Sequence, residues 1–285
     1  MNVLGAFRVQ RHNILGLAGA GLVAALAIIA LLSPLFGLPD PTIGDLRARM
    51  VAPTLSWTSL GPHAFGTDQL GRDILSRMIT GSRVTLTIAA SAVTLGGVVG
   101  VFLGLIAGYF GGLVDRVLMR LVDIQLAFPV MLLALLVVGA MGPSLFNLII
   151  VLALTSWLRY ARIVRSEVLA IRNKEFVLSA RAIGAAQPRI LFFHILPNVL
   201  TPVLVVATLE LARTIVLEAS MSFLGLGVQP PYPSWGRMLA DGRTYAATAW
   251  WIITFPGIAL MLTVLSVNLP GDWLRDWFDP RASHR

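Results

Sequence analysis

Residues 165–197, RSEVLAIRNKEFVLSARAIGAAQPRILFFHILP, form the most basic region of the chain and still carry apolar surface that must be covered. Phe176, Val177, Ala180 and Ile183 recur along one side of the stretch Asn173–Ile183, which predicts an amphipathic helix. Gly184, Ala185 and Ala186 then make a small-residue corner, followed by Pro188 and a second short apolar run. A segment that only joined two neighbouring elements would need neither this length nor this apolar side. Two readings fit. In one, another protein docks here and the small corner lets its surface approach the backbone. In the other, the helix lies at a membrane surface with its arginines snorkelling to water.

The flanks of this stretch are long apolar runs. The 285 residues are 56% hydrophobic and only 13% charged, against about 25% charged for a soluble domain, and the mean hydropathy is +0.80. A bilayer core takes roughly 20 helical residues to cross. Six segments qualify, near Ile14–Phe36, Val84–Tyr109, Val117–Met141, Leu145–Ile163, Val199–Leu217 and Trp250–Leu269. The expected fold class is therefore all-α: a polytopic membrane protein with about six transmembrane helices. The first run exceeds the roughly 7–15 residues of a signal-peptide core and ends without a small-residue cleavage site, so it reads as a retained helix. Gly142-Pro143-Ser144 predicts a tight turn joining the third and fourth helices as an antiparallel hairpin.

Arginine and lysine bias sets the orientation. With a cytoplasmic N-terminus, fourteen basic residues fall inside and seven outside, which predicts that both termini and the 165–197 loop are cytoplasmic. Trp250 and Trp251 would mark one interface of the last helix, and Trp273 and Trp277 the other. Outside, Leu38–Arg83 begins Pro-rich and then predicts an amphipathic helix from Thr67, as N-cap, to Gly81, with Asp68–Arg72 and Asp73–Arg77 as i,i+4 pairs. That helix would lie on the membrane surface or touch a partner. A second outer stretch, Ser220–Tyr245, is rich in glycine and proline and reads as a structured loop. In the second span Gly96, Gly100, Gly104, Gly108 and Gly112 recur every fourth residue. Such a stripe lets a second helix backbone approach closely, within this chain or across to another subunit.

Several chemistries are excluded. Lys174 is the only lysine and follows Asn173, so no G-x-x-x-x-G-K-[ST] phosphate loop exists and the chain cannot hydrolyse ATP by that machinery. His12, His63, His194 and His284 lie in separate segments and form no metal cluster, and there is no cysteine. No catalytic residue, cofactor site or metal site is expected. The net charge of +8 is scattered between apolar segments rather than gathered in a stripe, which argues against nucleic acid. Glu210 and Arg213, at i,i+3 in the fifth span, can neutralise each other, either as a structural ion pair or as part of a substrate path or gate. Glu218 lies at the outer end of that span, and Pro129, Pro202 and Pro256 are expected to kink their helices.

The order Leu178-Ser179-Ala180-x3-Gly184-x9-His194-x-Leu196-Pro197 resembles the EAA loop, E-A-A-x3-G-x9-I-x-L-P, of binding-protein-dependent ABC importer permeases. Leu178, Ser179 and His194 depart from the pattern; Ala180, Gly184, Leu196 and Pro197 fit it. The flanks Glu175-Phe176-Val177 and His194–Asn198 resemble the dipeptide and oligopeptide branch, C-type subunit. So do Phe65-Gly66-Thr67-Asp68-x2-Gly71-Arg72-Asp73 and Ser222–Gly227. The resemblance implies a type I ABC importer permease architecture. A first helix and external segment (1–83) would precede a five-helix core (84–273) and a cytoplasmic tail (274–285). It also implies a path shared with a second homologous permease, two cytoplasmic ATPases and an external substrate-binding protein. The coupling loop would use Phe176, Ser179, Ala180, Gly184, Ala185, Leu196 and Pro197. Branch substrates are dipeptides and oligopeptides, and also nickel, glutathione or haem. A self-sufficient secondary transporter is the rival class; it would favour internal repeats and ionisable groups spread over the spans. The topology is directly testable in this cysteine-free chain. A single cysteine at Ser179 is expected to resist an impermeant thiol reagent in intact cells and to react once the membrane is opened.

Overall fold

The computed structural model describes residues 3–54 and 63–278, and among these the chain is helical with no β-strand. Nine helices follow one another: α1 Val3–Leu32, α2 Ile74–Phe110, α3 Gly112–Leu126, α4 Val130–Met141, α5 Leu145–Ile171, α6 Glu175–Ala182, α7 Gln187–Phe223, α8 Trp235–Gly242 and α9 Trp251–Phe278. Five are long and apolar enough to cross a bilayer, and α3 with α4 makes a sixth candidate crossing, bent by 87°. The end of the expected C-terminal tail, 279–285, lies outside the described residues.

The pair α2 and α5 is the centre of the bundle. Cβ atoms added at Gly96, Gly100, Gly104 and Gly108 would fall 1.9–2.7 Å from Ser156, Trp157, Ala161 and Val168 of α5. Hydrogen in place of a side chain is thus what lets the two backbones meet, which in lipid replaces the missing hydrophobic drive. Of the two readings of the glycine stripe, contact within the chain is the one observed. Gly112 does not belong to it: the chain turns at Gly111 and Gly112, both at positive φ, and α3 starts there. Around this pair α7 and α9 pack through Ala89, Ala212, Ile215 and Val267. The outermost helix, α1, rests on α9, with Gly16 and Gly19 against Trp273, Leu269 and Pro270.

Four sequence expectations need correction. The helix expected from Thr67 does not form there; residues 67–73 are a tight turn, and α2 begins at Ile74 with Asp73 as N-cap, its carboxylate accepting from the Ser76 N–H at 2.7 Å. Gly71, at φ +74°, is a conformation that a helix cannot continue through. The third span is two helices rather than one. Pro129 holds an extended ψ of 130° and caps α4 without a side-chain acceptor, so the helix breaks instead of kinking. The fourth helix runs eight residues beyond Ile163, to Ile171, because Arg162 and Arg165 find aspartates on α3. The outer stretch 220–245 contains a buried helix, α8, whose Trp235 is 1% exposed.

The α2–α5 contact makes a quantitative expectation. Gly100→Ala would place a methyl 2.3 Å from the Trp157 carbonyl oxygen and is expected to cost about 1–3 kcal/mol by overpacking. Gly139→Ala, with nothing within 4 Å of the added carbon, is expected to stay within about 0.5 kcal/mol. Tryptophan-fluorescence unfolding of the detergent-solubilised chain reads the difference.

Candidate functional site

Helix α6 is offset by two residues at its start from the expected Asn173 and stops one before Ile183. Its end is closed by backbone geometry. The Ala185 N–H donates to the Ala180 carbonyl and the Gly184 N–H to the Arg181 carbonyl, with Gly184 at φ +78°. This is a Schellman cap, and it gives Gly184 a local reason independent of any partner. Part of the apolar side is already covered. Val177 and Ala180 are buried against Leu105 of α2, Val164, Val168 and Ile171 of α5, and Ile190, Ile195 and Val199 of α7, with Ala185 and Leu196 packed on the same cluster. Phe176, Leu178 and Ile183 remain uncovered, Ile183 at 85% exposure; Ser179 and Pro197 are exposed too. Nothing lies within 4 Å of a Cβ added at Gly184. The expected loop residues therefore divide between an inner set that anchors α6 and an outer set that faces away from the chain.

Immediately downstream the first turns of α7 widen into a π-type turn over Ile190–Ile195, the Leu196 N–H reaching the Leu191 carbonyl. Pro197 has no N–H to return to the preceding turn, and Asn198 Nδ2 takes up the His194 carbonyl at 2.6 Å. The His194–Asn198 block is thus the joint between α6 and the straight part of α7.

Glu210 and Arg213 are together as expected, Arg213 Nη1 lying 3.5 Å from Glu210 Oε2. A third member joins them that the sequence did not point to: Arg159 of α5 places Nε 3.1 Å from Glu210 Oε1. Spacing within one helix can suggest a pair, but no sequence signal places residue 159 opposite residue 210. Glu218 is fully buried. Ser222 Oγ donates to one of its oxygens at 2.7 Å, and the other is buried without a hydrogen-bond partner among the described residues.

The end of the bundle where α2 begins is held by buried charge. Asp68 Oδ1 accepts from the Leu70 and Arg72 N–H groups, and Oδ2 from Arg72 Nε at 2.7 Å, with Arg77 Nε 3.5 Å away. Asp241 of α8 stands 3.6–3.7 Å from Arg77 and Arg72 and 3.0 Å from Arg237. Trp251 Nε1 donates to the Thr67 carbonyl at 3.0 Å, and Phe65 stacks on Phe255 at 4.5 Å. The block 65–73 is therefore the clasp between α2, α8 and α9. Among the described residues no three His, Asp or Glu side chains converge as metal ligands would.

These features meet in known proteins. Residues 100–284 match the family described as the binding-protein-dependent transport system inner membrane component. The chain is 41% identical to the dipeptide transport system permease protein DppC of Alkalihalophilus pseudofirmus, over 97% of this chain and 89% of that one. It is 41% identical to the di/tripeptide permease DppC of Pseudomonas aeruginosa, over 96% and 90%. It is 43% identical to the glutathione permease GsiD of Pectobacterium atrosepticum, over 77% and 73%. Among solved structures the inward-facing MetNI methionine ABC transporter superposes with a TM-score of 0.58 at 20% identity, covering 70% of this chain and 95% of that one, which shows a shared fold. The chain belongs to the binding-protein-dependent transport system inner-membrane family and is a multi-pass permease with the type I ABC importer architecture.

Asp68 is the acceptor on which the clasp depends. Asp68→Ala leaves the buried guanidiniums of Arg72 and Arg77 without their nearest carboxylate, and removal of one partner of a buried pair costs about 3–5 kcal/mol. A correspondingly lowered thermal midpoint of the purified chain, with unchanged helical content before unfolding, is the expected result.

Proposed function

We propose that this permease is the C-type subunit of an ATP-driven peptide importer. It lines the translocation path together with a second, homologous permease and is powered by two separate ATPases. An external binding protein delivers the substrate. Peptides are favoured over glutathione because the dipeptide permeases align along nearly the whole chain and the glutathione permease along about three quarters of it. Hydrolysis in trans is supported by the missing phosphate loop. Membership in the family removes the reason to prefer a self-sufficient secondary transporter.

The observation that carries the reading is α6. An eight-residue helix beyond the end of α5 keeps Val177 and Ala180 in the core of the permease and leaves Phe176, Leu178 and Ile183 without cover. This two-sided arrangement suits a lever, one face fixed to the spans and the other offered to an ATPase. The open space around Gly184 supports a close approach of that partner at the corner. In this reading both termini and the 165–197 loop are cytoplasmic, the 38–83 and 220–245 segments are external, and α3 with α4 counts as one broken crossing.

Gly184→Leu would strain the positive-φ cap as well as the proposed contact, so Ile183 is the cleaner probe. Ile183→Asp touches no packed neighbour. It is expected to leave expression and thermal stability of the permease unchanged, to lower co-purification of the ATPase about tenfold or more, and to abolish uptake, because a buried unpaired carboxylate is not tolerated in an apolar contact. Normal ATPase recruitment and normal uptake by Ile183→Asp would show that α6 is not the docking element.

A further inference from the structure

Three arginines follow one another at i,i+3 along α5, and two of them have their own carboxylate on α3. Arg162 reaches Asp123 at 2.5 Å and Arg165 reaches Asp115 at 2.6 Å. Arg159 has no such aspartate. It shares Glu210 with Arg213, so two guanidiniums stand on one carboxylate and the cluster keeps one excess positive charge. Ten N–H donors face an acceptor with room for roughly four.

The cluster lies deep in the bundle. Arg159, which the charge count places on the cytoplasmic side, is 14 residues after Leu145 at the start of α5, and Arg213 is 10 residues before Phe223 at the end of α7. At about 1.5 Å per residue both are about 15–21 Å from those ends, within a hydrocarbon core about 30 Å thick. The Glu210 side chain is only 2% exposed, whereas those of Arg159 and Arg213 are 51% and 32% exposed. Guanidiniums at this depth do not face lipid; they face water or protein. The carboxylate thus sits behind and the unused N–H donors point outward, an arrangement oriented in advance for an anion.

We propose that Arg159 and Arg213, held by Glu210, form a transient binding site for the C-terminal carboxylate of a peptide in transit. The ligand rests on the peptide-importer reading above. An arriving carboxylate brings the charge of the cluster to zero. Glu210 already occupies the nearest donors and offsets half the charge, which keeps the attraction weak enough for the ligand to leave again, as conduction requires. A fixed acidic side chain of the second permease is the other candidate occupant, and the test separates the two.

The chain has no cysteine, so Ile163→Cys, half-buried one turn along α5 from Arg159, gives a single thiol beside the site. The test uses the complete transporter with cysteine-free partner chains. An anionic methanethiosulfonate is expected to modify Cys at this position about tenfold faster than its cationic analogue. Arg213→Gln is expected to erase most of that preference and Arg213→Lys to keep it. A dipeptide with a free C-terminus is expected to slow the anionic reagent, while the same dipeptide as its C-terminal amide does not. Uptake of the free dipeptide should fall about tenfold in Arg213→Gln with unchanged recovery of the second permease. Equal rates for the two reagents, or no reaction with either, overturn the proposal. Loss of the second permease from the purified Arg213→Gln complex overturns it in favour of an inter-subunit bridge. An Ile163→Cys transporter with Arg159, Glu210 and Arg213 intact that keeps the anionic preference, while the wild type takes up no peptide, overturns the peptide ligand together with the peptide reading.

Discussion

Backbone contact between α2 and α5 is the constraint that the other helices inherit. Four glycines of α2 meet Ser156, Trp157, Ala161 and Val168 at distances that exclude even a methyl group. In a bilayer, burying leucine against leucine gains little because the acyl chains are as apolar as the side chains, so close van der Waals contact must hold the helices together. Once this pair is fixed, Leu105 and Val164 present a common surface to α6 and to the first turns of α7, and Ile88, Leu148 and Leu152 present another to α4 and the outer loop after α7. Helix α6 and the 65–73 clasp are therefore attached to opposite ends of one rigid unit.

Charge is distributed along that unit by a simple rule: an arginine is tolerated where an acid can reach it. At the end of the bundle where α2 begins, three arginines, Arg72, Arg77 and Arg237, share two aspartates, Asp68 and Asp241. At the α3 face Asp115 and Asp123 take up Arg165 and Arg162, which lets α5 continue as helix past the apolar run. In the middle, at Glu210, two arginines again share too little acid, and there both guanidiniums are partly exposed. Paired charges at the two faces make sense as fasteners. The cluster in between differs in exposure: Arg72 and Arg77 are buried in the clasp, whereas Arg159 and Arg213 keep open sides.

How much of this was legible in the sequence depends on the range of the interaction. The spans could be read because about 20 apolar residues in a row leave few alternatives, and α6 could be read because its periodicity and the Gly184 stop are local. The Glu210–Arg213 pair was legible for the same reason, both residues being on one helix. The misreadings occurred where a local pattern served two structures. Asp68–Arg72 at i,i+4 suits a helix, yet the same two residues close the 67–73 turn, and Gly71 in the middle was the residue that favoured the turn. Pro129 was read as a kink because sequence does not say whether the preceding turn can be rebuilt; the extended backbone at Pro129 leaves α3 and α4 at 87°. Arg159 beside Glu210, the buried α8 and the Asp241 clasp depend on helices distant in sequence, and a single sequence carries no record of such neighbours.

The joint at 190–198 links these observations to motion. Between α6 and the straight part of α7 the backbone passes through a widened turn with a missing donor at Pro197, so this is the place where the helix is least held by its own hydrogen bonds. On either side the chain is firmly packed: Val177, Ala180 and Ile190 before it, Val199 after it, all in one cluster with α2 and α5. Close-packed interiors pass on a displacement rather than absorbing it. A push on α6 therefore has two outlets, the α2–α5 pair through Leu105 and Val164, or α7 through the joint. The first is blocked by glycine contacts that leave no slack. The second leads along α7 to Glu210 and Arg213, and beyond them to Glu218, which accepts from Ser222 one turn on. The same helix thus carries the joint near one end, the unbalanced charge in its middle and, near the other, the contact of Ala219 with Gly236 of α8.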